Sequence, residues 1–130
     1  EYDHAVGIIL ATSPFPGICG RVCPAPCMEA CNRRQYDESI DIRELERYAG
    51  QHGRRPDPTK PWREQRVAVV GSGPAGLSTA YHLAKLGYPV TLYEAGEELG
   101  GVMRTGIPSY RLPREVIAKE WGTTAAGGDQ

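Results

Sequence analysis

The sequence predicts an α + α/β chain, a small helical domain followed by a truncated βαβ unit, and three observations carry that prediction. Cys19, Cys23, Cys27 and Cys31 stand at a constant spacing of four and are the only cysteines in the 130 residues. A glycine-punctuated strand, helix and second strand run from Arg66 to Glu94. Between them the stretch from Gly50 to Gln65 is polar and holds Pro56, Pro58 and Pro61, which keep a chain extended and read as a linker. The expected division is 1–55 for the cysteine-bearing helical domain, 56–65 for the linker, 66–120 for the βαβ unit and 121–130 for a tail.

Charge and hydropathy narrow the partners. Fifteen basic against sixteen acidic residues leave a net charge of −1 with no basic stripe, so neither nucleic acid nor an anionic membrane surface is expected. No apolar run approaches a membrane span and no basic-then-apolar signal opens the chain, which points to the cytoplasm. The abrupt start at Glu1 suggests a piece that begins inside a longer polypeptide.

In chain order, Tyr2 to Thr12 is a short helix with Val6, Ile9 and Leu10 near one face, stopped by Ser13–Gly17 (SPFPG). The cysteine segment CGRVCPAPCMEAC follows. On one continuous helix its sulfurs would form a slowly drifting stripe, but Pro24 and Pro26 forbid a helix through the middle, so the segment is expected to fold as a loop. Thiolates on a turning loop can converge on one centre, and four of them match a cubane iron-sulfur cluster or a tetrahedral zinc. The close cysteine pairs separated by a longer knuckle that zinc sites use are absent, and a disulfide framework needs an oxidising compartment. Iron-sulfur is the favoured reading, with zinc and structural or disulfide cysteines as alternatives.

Asp37 to Tyr48 is a better-specified helix. Asp41 can cap it, Glu44 can close a capping box and Ile40 can staple onto Leu45. Ile42, Leu45 and Tyr48 or Ala49 are expected to face inward, with Arg43, Glu46 and Arg47 elsewhere. In the linker, Trp62 is a candidate clip onto one domain. The first 55 residues hold few large apolar side chains, so this part needs a metal staple or a partner surface.

Val67 to Val70 is a continuous apolar run of the kind found in a parallel sheet buried on both faces. Gly71, Gly73 and Gly76 then form G-x-G-x-x-G, in which the first glycine turns the chain, the second admits a pyrophosphate and the third lets helix and strand lie close. Pro74 suits the first helical turn, whose unpaired N–H groups and dipole attract phosphate. Leu77, Ala80, Leu83 and Ala84 supply an apolar face, and Gly87 suits the left-handed residue after a helix ending near Leu86. The second strand, Val90 to Tyr93, delivers Glu94 to its tip, about twenty residues beyond the glycines, where an acid hydrogen-bonds a ribose hydroxyl. Glu94 would repel a ribose 2′-phosphate, which argues against NADP in this particular site. The whole is a Rossmann-like dinucleotide signature.

Beyond Glu94, Gly100 and Gly101 allow another close approach of backbone to a ligand, and Pro113 opens a helix with Val116 and Ile117 on one face. The ending from Trp121 is small, polar and glycine-rich and reads as disorder, a truncation or an expression scar.

The motifs SPFPGICGRVCPAPCMEAC, the helix around IRELERY, VAVVGSGPAGLSTAYHLAKLGYPVTLYE and LGGVMRTGIPSYRLPREVI together resemble the family of the glutamate synthase small subunit, over about Ala5 to about Glu120. That family includes the amino-terminal half of dihydropyrimidine dehydrogenase and the flavin subunits of electron-bifurcating NADH-dependent ferredoxin:NADP oxidoreductases. The resemblance implies FAD at the glycine turn. Gly71, Ser72, Gly73, Pro74, Ala75 and Gly76 would meet or frame the pyrophosphate, Glu94 the adenosine ribose, and Leu99, Gly101 and Arg104 the region approaching the flavin. It implies that the cysteines belong to a helical domain with two [4Fe-4S] clusters, which pass electrons between the flavin and a partner subunit, and that NAD(P)H reduces the flavin from a second nucleotide-binding domain.

Three departures from the family pattern bear on this. The upstream cysteines that help hold both clusters are missing, so Cys23 and Cys27 would serve one cluster and Cys31 the other, with at most one full cluster in this chain. A side chain of the IRELERY helix that some relatives use as a fourth ligand corresponds to Glu46, with Cys19 the stronger candidate here. The pyridine-nucleotide domain and the rest of the FAD domain are absent, so substrate reduction by this chain alone is not expected. The reading is therefore part of an FAD and [4Fe-4S] oxidoreductase, and its rival is a zinc-stabilised, non-catalytic docking module with a nucleotide-binding half-fold.

Overall fold

A computed structural model describes residues 1–57 and 60–121. They fall into two units, Glu1–Pro56 and Asp57–Gln130, each with its own core.

The first unit is helical. Helix α1 (Tyr2–Leu10) is followed by α2 (Pro16–Val22), α3 (Pro26–Glu29), a 3-10 turn (Asn32–Gln35) and α4 (Ile42–His52). Pro16 and Pro26 each sit in the first turn of a helix, where a missing N–H costs nothing. The cysteine segment is thus not a loop throughout. Pro24 does break it, and Ala25 bends the chain at a left-handed φ of 57°, but the stretches on either side are long enough to close helical turns.

Val6, Leu10, Phe15, Ile18 and Ala49 form the core of this unit. Asp41 caps α4 as expected, accepting from the Glu44 amide at 3.3 Å, and the helix runs on to His52, into residues expected in the linker. Its inward face is only partly the expected one: Ala49 is buried as expected, but the larger apolar residues are not. Leu45 is 62% exposed, Ile42 and Tyr48 are also exposed, and Ile40 makes no buried staple, whereas Arg43, Glu46 and Arg47 are half-buried. The cause lies in small residues. A Cβ on Gly20 of α2 would come 2.6 Å from Arg47 Cα, and one on Gly50 would come 2.9 Å from the Gly17 nitrogen. The two backbones approach along that glycine line, and a close backbone seam outweighs the apolar stripe in choosing which face packs. Arg43 then reaches from α4 to the Cys23 carbonyl at 3.3 Å.

The second unit holds β1 (Val67–Val70), α5 (Pro74–Lys85), β2 (Val90–Tyr93), α6 (Val102–Thr105) and α7 (Arg114–Trp121). The strands are parallel and in register from Val67↔Val90 to Val70↔Tyr93, with α5 as the crossover. Leu77 and Ala80 of α5 are buried, and Leu83 and Ala84 are half-buried. Only one sheet face is covered. Val70 is 86% exposed and Tyr93 57%, contrary to the two-sided burial that the apolar run suggests, because α5 lies on one side and no described helix lies on the other.

Trp62 and Arg63 fasten onto the end of α5: both amides donate to the Gly87 carbonyl, and Arg63 Nε donates to the Leu86 carbonyl at 2.7 Å. The indole rests on the Cα of Gly87, whose φ of 87° is the left-handed value expected after the helix, and a side chain there would overlap the ring. The residues following β2 have their own core of Met103, Leu112, Ile117 and Trp121. Trp121 belongs to α7 and is buried, so the unit extends one residue into the expected tail. The remainder of that tail, 122–130, lies outside the described residues, as do Pro58 and Thr59 of the linker. Among the described residues no helix is long and apolar enough to cross a membrane.

Candidate functional site

The glycine turn has the shape its sequence requires. Gly71 turns the chain at φ 95°, a conformation that L side chains avoid, while its amide extends the ladder to the Tyr93 carbonyl at 2.7 Å. A Cβ on Gly76 would overlap the Gly71 carbonyl oxygen, so helix and turn touch at that position. Gly73 looks onto open space, with nothing within 4 Å of a Cβ built there. It is also the cap of α5, whose first intrahelical bond is from the Leu77 amide to the Gly73 carbonyl at 3.0 Å. The amides of Ala75 and Gly76 precede that bond, beside the exposed Pro74 and Ala75, at the positive end of the helix dipole.

Glu94 stands at the tip of β2 and its carboxylate is already ordered. Oε2 accepts from the Ser72 amide at 2.8 Å and from the Ser72 hydroxyl, and Oε1 accepts from the Gly96 amide at 2.8 Å. These donors hold its pKa down to about 2 from 4.5, the Ser72 hydroxyl contributing most and the Gly96 and Ser72 amides next. The carboxylate is ionised at any physiological pH.

The loop beyond Glu94 folds back onto the turn. The Gly100 amide donates to both the carbonyl and the hydroxyl of Ser72, each at 3.1 Å. Gly101, at φ 50°, lies so near that a Cβ would come 2.9 Å from Gly73 Cα. Arg104 braces the same loop, donating to the Leu99 carbonyl at 2.9 Å and pairing with Glu98 at 3.0 Å. Arg114 of α7 in turn donates to the carbonyls of Met103 and Ile107. Gly71, Ser72, Gly73, Glu94 and Gly101 are thus brought together, with Leu99 and Arg104 joined to them through the loop. The anchoring amides of Gly96 and Gly100, and the linking role of Ser72, escape a motif search because backbone donors and a variable position carry no signature.

The cysteines are differently disposed. Cys19 lies on α2, Cys23 at its C-terminal cap, Cys27 on α3 and Cys31 at the cap of the 3-10 turn. All four are thiols. Among the described residues no three Cys, His, Asp or Glu side chains are gathered where they could hold a metal ion, so the expected convergence on one centre does not occur. Two sulfurs nonetheless have backbone amides directed at them. The Ala25 amide points at Cys23 Sγ at 3.4 Å. The Cys31 thiol is pulled below its ordinary pKa by the amide of Ile40 first, then by those of Arg33 and Arg34. Glu46 is half-buried and accepts a long 3.5 Å bond from the Ser13 hydroxyl.

Two family models match the chain. Residues 1–57 match the model of dihydropyrimidine dehydrogenase domain II, 4Fe-4S cluster, and residues 69–121 match an NAD(P)-binding Rossmann-like domain. Together the two matches span most of the chain, and its relatives include glutamate synthase chains and other oxidoreductase subunits. It is 44% identical over 127 residues to the NADPH-Fe(3+) oxidoreductase subunit beta of Geobacter sulfurreducens, which covers 92% of this chain and 19% of that protein. Against the NADP(+)-dependent formate dehydrogenase subunit beta of Moorella thermoacetica the identity is 41% over 146 residues, covering 92% and 21%. The glutamate synthase [NADPH] small chain of Mycobacterium tuberculosis is 36% identical over 119 residues, covering 88% and 24%. The chain spans about a fifth of the length of the first of these relatives. Its two halves thus match a 4Fe-4S domain and an NAD(P)-binding domain, and the relatives compared are named as oxidoreductase, dehydrogenase or synthase subunits.

Proposed function

We propose that the chain is part of an FAD and [4Fe-4S] dependent oxidoreductase of the cytoplasm, which passes electrons between NAD(P)H, flavin and clusters to a partner subunit. The observation that carries the reading is the glycine turn. Gly73 faces open space at the start of α5, and an ionised Glu94 stands at the tip of the adjoining strand. The amides of Gly73, Ala75 and Gly76 would take the pyrophosphate, Glu94 the adenosine ribose, and the loop of Leu99, Gly101 and Arg104 would border the path toward the flavin. FAD, when bound, would supply the exchange between two-electron and one-electron chemistry. The chain's part is to hold the adenosine end, with the negative Glu94 disfavouring a 2′-phosphate.

The four cysteines do not fit one complete cluster as they stand. We therefore assign them as partial ligand sets, with Cys23 and Cys27 serving one cluster and Cys31 another. The amides that pull the Cys31 thiol below its ordinary pKa support a thiolate role there.

Equilibrium dialysis of the chain against FAD, competed with ADP, tests the nucleotide half, and anaerobic incubation with iron and sulfide tests the cysteine half. The expected result is one FAD site that ADP displaces, together with sub-stoichiometric, oxygen-labile iron. Binding of neither nucleotide would overturn the first assignment. A tightly held zinc indifferent to oxygen would overturn the second in favour of a docking module.

A further inference from the structure

Ser72 occupies the position between the first two glycines of the turn, where the G-x-G-x-x-G pattern asks for no particular side chain. It is nevertheless completely buried and fully engaged. Its amide and hydroxyl both donate to Glu94 Oε2, while its hydroxyl and carbonyl oxygens both accept from the Gly100 amide. One small side chain therefore joins the tip of β2 to the second glycine pair. Because Gly101 abuts Gly73, whatever holds Gly100 also holds Gly101 over the open side of the turn.

The same bonds limit what Glu94 has left to offer. A carboxylate presents about four lone-pair positions. Two on Oε2 face donors from Ser72, and one on Oε1 faces the Gly96 amide. The Ala95 amide also acts on this carboxylate, so at most one position is left for the two hydroxyls of a ribose diol.

We infer that Ser72 is a positioning residue of the nucleotide site: it locks Glu94 and the Gly100–Gly101 loop into one unit and leaves Glu94 at most a single acceptor position, so that no more than one ribose hydroxyl is read directly. The ligand half of this inference rests on the nucleotide reading above. The lock itself needs no ligand.

The experiment therefore has two arms, both on the full chain. In the first, amide hydrogen exchange is followed by NMR without nucleotide in wild type, Ser72→Ala and Glu94→Gln. Loss of the link should speed exchange at Gly96 and Gly100 about tenfold or more, with the Leu77 and Ala80 amides in α5 unchanged. Glu94→Gln, which keeps the size of the side chain, should act on the same two amides and serves if Ser72→Ala does not fold. Uniform acceleration through the whole unit, or no change at Gly96 and Gly100, would overturn the lock.

In the second arm ADP, 2′-deoxy-ADP, 3′-deoxy-ADP and the dideoxy compound are titrated. In wild type one single deletion should weaken binding about tenfold, the other should not, and the dideoxy compound should be no worse than the first. In Ser72→Ala, with Oε2 released, both hydroxyls should count. Equal losses for the two single deletions in wild type would overturn the single-acceptor inference. If wild type binds no ADP, the nucleotide reading and the single-hydroxyl claim fail together, while the exchange arm still decides the lock.

Discussion

Between Gly71 and Gly101 the second unit joins the residues proposed for nucleotide binding by hydrogen bonds and backbone contact, so the chain itself builds that arrangement. In the first unit the four cysteines lie on or beside separate short helices, and among the described residues no three potential ligands are gathered. The difference follows from what each site is made of. A phosphate and ribose site is built from backbone amides at one helix start and an acid at one strand tip, which the crossover brings together within a single βαβ unit. A cluster needs four thiolates converging from several directions, and short helices interrupted by Pro24 do not bring them together.

Steric substitutions should break this comparison most visibly. Gly76→Val places a branched side chain against the Gly71 carbonyl and is expected to destabilise the second unit by more than about 3 kcal/mol. Trp62 and Trp121 are the only tryptophans and both lie in the second unit, so tryptophan fluorescence during urea unfolding isolates it. In the first unit, Phe15→Ala should cost about 3 kcal/mol through the cavity it leaves, read from helical circular dichroism. Gly20→Ala, which forces α2 away from α4, should cost about 2 kcal/mol by the same measurement.

A gentler test uses pH. The Glu94 carboxyl lies near 2 in the folded chain against 4.5 ordinarily. Its contribution is therefore complete above about pH 4.5 and is lost as pH falls toward 2, because the unfolded chain takes up the proton first. The tryptophan-monitored midpoint should fall across that window in wild type and fall less in Glu94→Gln. The smallest effect belongs to α4. Leu45→Ser should change the stability of the first unit by no more than about 0.5 kcal/mol, whereas a core position would cost several times that.

Leu45 also marks where the sequence misleads. Its spacing with Ile42 and Tyr48 describes a helix correctly, and Asp41 caps that helix, but the packing face is set by Gly17 and Gly20 on another helix and by Gly50. Such a seam carries no apolar periodicity. The sheet shows a related limit: Val67 to Val70 reads as a buried strand, yet burial depends on what covers each face, and Val70 stands exposed here. The shape of the glycine turn is legible in the sequence because Gly71, Pro74, Gly76 and Glu94 each answer a local steric or electrostatic demand. Ser72 was not, because its importance arises from partners 22 and 28 residues away.

Nucleotide binding at the glycine turn is the central claim. Amide resonances of a labelled chain, followed as ADP is added, test it most directly. The account predicts saturable shifts at Gly71, Gly73, Ala75, Gly76 and Gly101, with the residues around Cys19 to Cys31 unmoved. Millimolar ADP leaving those amides in place, or moving the cysteine segment instead, would contradict it.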